Sequence, residues 1–324
     1  MRDAPAETCP VCGRNGTLLH EGVGDRLFGV PGRWNFRRCD DRTCGLVWLD
    51  PKPLESDLHE AYATYYTHGD DDAGQQGRGA QTSRRRLIDA LEQLWLGALF
   101  LRDARQKIEA MFLDGITPGR LLEVGCGEGR LLARLKAQGW QAEGQDLDPK
   151  AAAQARRVHG LTVHLGELAT LRLPAESYDA VVMNHVIEHA YDPVALLREC
   201  RRLLKPGGLF VATTPNPESY GHRRFGPAWR GLDPPRHLHL LTVSSLTRIA
   251  GAVGFARSQV STSPARAGGM LAASLDIQRS GFDPMGGRAT LFHLAAASIY
   301  QLAARIAHLW RRDSGEEAVL RAWK

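Results

Sequence analysis

The stretch RLLEVGCGEG, residues 120–129, decides the fold. Residues 120–124 form a short, mostly apolar run of the kind a buried strand needs. Glycines at 125, 127 and 129 then interrupt it, letting the backbone turn hard and approach a ligand closely. Leu131, Leu132 and Leu135 give the next segment one apolar helical face, and Gly139 ends it. Strand, glycine turn and helix in this order place free helix amides beside an anionic group. The spacing is Gly-x-Gly-x-Gly; the dinucleotide fingerprint asks for a glycine where Arg130 stands.

The same alternation continues downstream. Strands are expected over 141–146, 161–165, 178–183 and 209–214, with helices over 149–158 and from Pro193, capped by Asp192. Leu196, Leu197, Cys200, Leu203 and Leu204 share one face of the latter helix. Such alternation predicts an α/β, doubly wound, mostly parallel sheet, whose ligands sit outside the carboxyl ends of the strands. Asp146 closes the second strand about 20 residues after the loop, where an acid binds ribose hydroxyls.

Upstream, Cys9-x-x-Cys12 and Cys39-x-x-x-x-Cys44 bracket a polar, glycine-rich segment that would struggle to fold unaided. Four thiolates suit a closed tetrahedral zinc site, with buried free thiols as the alternative. Domains are expected at 1–52 (zinc-ribbon-like), 53–115 (linker and helical cap, polar over 68–86, helical from Leu87 to Phe112), 116–265 (cofactor-binding) and 266–324 (extension). Residues 290–310 form an amphipathic helix interrupted by His293, Gln301, Arg305 and His308. It is expected to pack on its own domain, on a second copy as a homodimer, or peripherally on a membrane.

The 324 residues carry a net charge of only +5, and the arginines are dispersed, so nucleic acid is not expected as a partner. No run of about 20 apolar residues occurs and the first ten lack a signal-peptide core, so a cytoplasmic, reducing setting is expected.

The segments LLEVGCGEGRLL, GQDLDP and DAVVMNHVIEHAYDPVALLRECRRLLKPGGLFVATTPN resemble the motifs of class I S-adenosylmethionine-dependent methyltransferases. WRGLDPPRHLHLLT, from Trp229 to Thr242, resembles a segment of one small-molecule branch whose members sometimes begin with a cysteine ribbon. The resemblance implies a Rossmann-like seven-stranded sheet and S-adenosylmethionine as cofactor. Gly125 and Gly127 would pass under the cofactor, with its amine near Glu123. Asp146 would take the ribose, Leu147 the adenine face and Glu167 the adenine amino group. Asn184 and His185 would flank the sulfonium.

His185, Glu188 and His189 crowd the carboxyl end of the strand over 178–183. Three readings stand. His189 or His185 is a general base, oriented by Glu188; the cluster binds a divalent metal; or the histidines only hold the loop. Relatives of the ubiquinone-pathway type carry Glu-x-x-Glu-His here, and His185 in the first place disfavours a hard ion. A stiff loop carrying Arg236 and His237 is expected to present one of them to substrate, with Trp229 stacking on it. The function expected is methylation of a small molecule, at oxygen rather than carbon, on a sugar or other metabolite. The alternative is a catalytically silent methyltransferase fold acting as a zinc-ribbon adaptor, disfavoured by the intact glycine loop and Asp146.

Overall fold

The computed structural model describes residues 1–62, 90–283 and 291–324. The linker expected over 68–86 lies outside the described residues. The N-terminal strands are Asp3–Ala4 (β1), Gly16–Val23 (β2), Trp34–Cys39 (β3), Val47–Asp50 (β4) and Lys52–Pro53 (β5). The others are Arg120–Val124 (β6), Gln141–Asp146 (β7), Thr162–Leu165 (β8), Tyr178–Asn184 (β9), Leu204–Pro215 (β10), His239–Leu240 (β11), Arg257–Ser263 (β12) and Glu317–Trp323 (β13). Named helices are Arg102–Glu109 (α1), Arg130–Ala137 (α2), Pro149–His159 (α3), Pro193–Leu203 (α4), Tyr220–Phe225 (α5), Val243–Val253 (α6), Ala267–Ser280 (α7) and Leu291–Trp310 (α8).

Seven strands form one sheet in the order β12-β13-β10-β9-β6-β7-β8. β10, β9, β6, β7 and β8 are parallel, and β13 runs antiparallel to both its neighbours. The sheet is buried on both faces, so its central strands read as unbroken apolar runs. Successive side chains divide between the faces. Leu121, Val182, Val211 and Val319 pack with Leu132 and Ala155. Leu122, Val181, Phe210 and Leu320 pack with Leu197 and Ile249. The Asp148 side chain caps α3 through the Lys150 amide, and Asp192 caps α4 through those of Val194 and Ala195. Pro149 and Pro193 stand in the first turns, where a missing N–H costs nothing.

Strand pairing crosses two of the expected domain boundaries. β13 comes from within 266–324 yet sits between β10 and β12, so a cut at 265 would split the sheet. β11 pairs with β4, placing His239 opposite Trp48, so the core domain completes the N-terminal four-stranded sheet. Cys9, Cys44 and Trp48 share a core with Met183, Leu241 and Leu246, so the cysteine module is fused to the large domain. The helix expected through Phe112 is broken: residues 90–98 are helical, Phe100 adopts φ 56, and α1 starts afresh. The outward positions of α8 are Phe292, Ala295, Ile299, Leu302, Ile306, Leu309 and Trp310, all apolar. No described helix is long and apolar enough to cross a membrane.

Candidate active site

The carboxyl ends of β6, β7, β8 and β9 carry the expected cofactor residues. Gly125 and Gly127 have φ 70 and 53, the left-handed region that glycine enters freely. A Cβ on Gly125 would lie 2.5 Å from Val186, whereas one on Gly127 would meet nothing within 4 Å. Protein therefore packs against one glycine and leaves open space above the other. The Gly127 amide donates to Asp146 Oδ2 at 2.7 Å, and the Asp148 amide to Oδ1 at 2.9 Å. Asp146 thus faces the glycine loop from the neighbouring strand tip. Leu147 beside it is 66% exposed, an apolar surface at the rim.

Glu123 lies beneath the loop, buried, and its Oε2 has no partner among the described residues. Burial pushes its carboxyl up to about 8, with the Asp146 charge adding to the effect. A buried carboxyl oxygen without a partner is costly unless a donor arrives. Glu167 is exposed just beyond β8. Asn184 ends β9, and its Oδ1 accepts from the Thr213 hydroxyl at 2.8 Å. An open glycine turn, a buried acid with one unpartnered oxygen, an acid at the next strand tip and an exposed leucine are groups of the kind that the amine, ribose and adenine of S-adenosylmethionine would need.

The histidine loop follows at once. His185 sits at φ 56, a strained conformation for a residue with a Cβ. Three bonds hold it there. Its amide donates to the Thr213 carbonyl at 3.0 Å. Its Nδ1 donates to Glu188 Oε1 at 3.2 Å and its Nε2 to Glu317 Oε1 at 2.9 Å. Burial works against the charged ring, but Glu188 and Glu317 outweigh it and raise the imidazole to about 10. His185 is therefore an imidazolium with both nitrogens spent. A protonated ring has no lone pair, so it is neither a free base nor a metal ligand in this arrangement.

His189 is different. Its Nδ1 lies 3.1 Å from the Arg236 carbonyl and 3.0 Å from the Tyr62 hydroxyl. A carbonyl has no proton to give, so Nδ1 donates and Nε2 keeps its lone pair. Burial, then the neighbouring His237, holds His189 down at about 4. Burial alone would raise Glu188, but His185 pulls it down to about 2. Glu188 is fully buried, and its Oε2 has no partner among the described residues. His237 Nδ1 bonds the Gly231 carbonyl at 2.8 Å, which leaves its Nε2 a lone pair as well. One ligand-capable atom from each of Glu188, His189 and His237 lies within 4.8 Å of the others. The fold thus brings His237 to the cluster that the sequence spacing suggested.

Two neighbours of His237 do not face a substrate. Arg236 is fully buried, pairing with Asp25 at 2.7 Å and Asp233 at 2.6 Å and donating to the Ala61 carbonyl. Trp229 is buried too, stacked on His222 at 4.8 Å and bonded to Glu316. Both hold the loop in place. Glu317 and Tyr62 touch the cluster but have no sequence signal, because each reaches it from an element remote in the chain.

The four N-terminal cysteines also converge. Sγ atoms of Cys9 and Cys44 are 3.7 Å apart, and those of Cys12 and Cys39 are 3.4 Å apart. Thiolates about 2.3 Å from one tetrahedral zinc stand about 3.8 Å from each other, so the set fits that ion.

The model of a protein family described as a methyltransferase domain matches residues 97–260. The chain belongs to this methyltransferase family. A probable S-adenosylmethionine-dependent methyltransferase of Mycolicibacterium smegmatis is 35% identical over 136 residues, 42% of this chain and 51% of the relative. A ubiquinone biosynthesis O-methyltransferase of Cereibacter sphaeroides is 38% identical over 117 residues, 34% of this chain and 47% of that protein. The chain thus spans about half the length of the curated relatives it matches. Among solved structures, a SAM-dependent methyltransferase from Archaeoglobus fulgidus matches at TM-score 0.47 and 19% identity, over 72% of this chain and 98% of that one. A possible histamine N-methyltransferase from Thermotoga maritima matches at TM-score 0.45 and 20% identity, over 72% and 99%.

Proposed function

We propose that this protein methylates a hydroxyl oxygen of a small molecule, a sugar or related metabolite, with His189 as general base. The observation that supports this best is the His189 ring: neutral, half-buried, and turned by the Arg236 carbonyl so that Nε2 keeps a lone pair. S-adenosylmethionine, when bound, supplies an electrophilic methyl group on a good leaving group. Glu123 and the Gly125–Gly127 backbone hold the amine end, Asp146 the ribose and Leu147 the adenine. Asn184 and His185 stand beside the reacting centre, and His185, pinned as an imidazolium, sets the position of Glu188.

A base as weak as about 4 suffices here. The acceptor oxygen is a poor acid at rest but becomes strongly acidic as its new bond to carbon forms. His189 takes the proton at that moment, and the Glu188 carboxylate stabilises the resulting charge. The test is mutational: with any hydroxyl acceptor that the wild type methylates, His189→Ala slows turnover without weakening cofactor binding. Unchanged turnover would remove the base.

A second reading has Glu188, His189 and His237 holding a divalent cation, which would polarise the acceptor oxygen. One ligand-capable atom from each of the three within 4.8 Å of the others, with Glu188 Oε2 unpartnered among the described residues, supports it. Two imidazoles favour zinc or manganese over magnesium. We further propose a structural zinc on Cys9, Cys12, Cys39 and Cys44. The exposed positions of α8 follow three- and four-residue steps from 292 to 309, the spacing of a helix-pairing seam, so a second copy is the proposed partner there. Light scattering after gel filtration tests it: a dimer is expected, and a wild-type monomer would contradict it.

A further inference from the structure

A cavity of about 760 Å³ opens between the β2–β3 connection and the α5 and α7 ends of the large domain. Arg26 and Arg33 line it on one side; Phe225, Pro227 and Ile277 give it an apolar wall. Neither arginine has a carboxylate partner among the described residues, and Arg33 spends a single N–H on the Gly22 carbonyl. The Arg26 side chain has no hydrogen-bond partner at all among them and is half-buried. A guanidinium withdrawn from water without a partner is costly unless an anion fills the space. Burial and then the Arg33 charge disfavour the Arg26 cation, so the two positive heads repel across the same cavity.

The loop that carries Arg26 is already rigid. Asp25 Oδ1 accepts from the Leu27 and Phe28 amides and Oδ2 from the Val30 amide. The same carboxylate pairs with the buried Arg236 at 2.7 Å. Asp25, the acid in the cavity wall, is therefore committed elsewhere and does not neutralise Arg26 and Arg33. The Asp283 amide binds the Arg26 carbonyl, and its carboxylate pairs with Arg230 at 3.1 Å.

We propose that this cavity is a second binding site, separate from the cofactor crevice, for a phosphate-bearing ligand with an apolar body. The Arg26 guanidinium, unpartnered among the described residues, and the exposed Arg33, with one N–H on the Gly22 carbonyl, match a doubly charged phosphate, whose oxygens accept paired N–H groups. A carboxylate, carrying one charge, would leave one arginine unmatched. The apolar wall would contact the rest of the molecule. Arg236 joins this loop to the methyl-transfer cluster, because its side chain holds Asp25 while its carbonyl accepts from His189.

Calorimetric titration of the full chain with pyrophosphate and with acetate tests the site. Pyrophosphate is expected to bind at least about tenfold more tightly than acetate, and Arg26→Gln and Arg33→Gln are each expected to weaken it about tenfold or more. S-adenosylmethionine affinity and melting temperature should stay unchanged in both variants, which separates this site from the crevice. Vesicles of phosphatidic acid, compared with phosphatidylcholine, give the second arm: retention by the former in place of pyrophosphate binding assigns the phosphate to a lipid. A double variant, Arg26→Gln with Arg33→Gln, that binds pyrophosphate and vesicles as the wild type does would overturn the proposal, as would a wild type that binds neither.

Discussion

His185 and Glu317 meet at 2.9 Å across 132 positions of sequence, joining the tip of a parallel strand to the antiparallel strand beyond its neighbour. The contact charges the ring, and with Glu188 on the other nitrogen it holds His185 in a left-handed backbone conformation. A hydrogen bond to a charged group contributes about 1.5–3 kcal/mol. Glu317→Gln is therefore expected to lower the free energy of unfolding by roughly 2 kcal/mol in urea denaturation. It should also slow methyl transfer more than it weakens cofactor binding. A variant as stable as the wild type would show that the pair does not hold the loop.

His189→Ala should leave S-adenosylmethionine affinity within error and lower turnover by about 100-fold or more. In the wild type, the acid limb of the turnover profile should fall near pH 4, below the ordinary histidine range, because burial holds His189 there. A limb centred near 6.5 would point to a different proton acceptor.

Three groups should make the ligand-free protein less stable as pH rises from 6.5 to 8. His185 keeps its proton to about 10, Glu123 to about 8 and Glu316 to about 7 in the folded chain. The unfolded chain releases these protons at about 6.5 for histidine and about 4.3 for glutamate. Each raised value adds stability at low pH that is lost as pH climbs through the folded value, at most about 1.4 kcal/mol per pH unit per group. Thermal melting across that window should show a falling midpoint, and Glu123→Gln should flatten the fall. A midpoint that rises with pH would contradict these assignments.

Metal analysis of the purified chain should find zinc at one equivalent for the cysteine cluster, and strong chelation should lower the melting temperature. Because Cys9 and Cys44 share a core with Met183 and Leu241, loss of the ion should loosen the large domain as well. Cys44→Ser chains that melt as the wild type does would argue for buried thiols instead.

The fold was legible because its signals are local. Gly125, Gly127 and Asp146 mark two adjacent strand tips, and alternating apolar runs mark the strands. Asp192 and Pro193 announce a helix start. The candidate site was legible in part. Glu188 and His189 stand in one turn, but Glu317 and Tyr62 arrive from remote elements with no pattern of their own. The insertion of β13 between β10 and β12 leaves no local trace, so the pairing across residue 265 was not legible. Arg236 and Trp229 misled because a cation or an indole in a proline-rich loop reads alike whether it faces substrate or clamps Asp25 and Glu316.

The most direct test is calorimetric titration of S-adenosylmethionine into the wild type and Asp146→Ala. Binding at one site per chain is expected in the wild type, weakened at least about tenfold by loss of the acid proposed to hold the ribose. A properly folded wild type that takes up no cofactor, or an Asp146→Ala chain that binds it equally well, would contradict the crevice on which the whole reading stands.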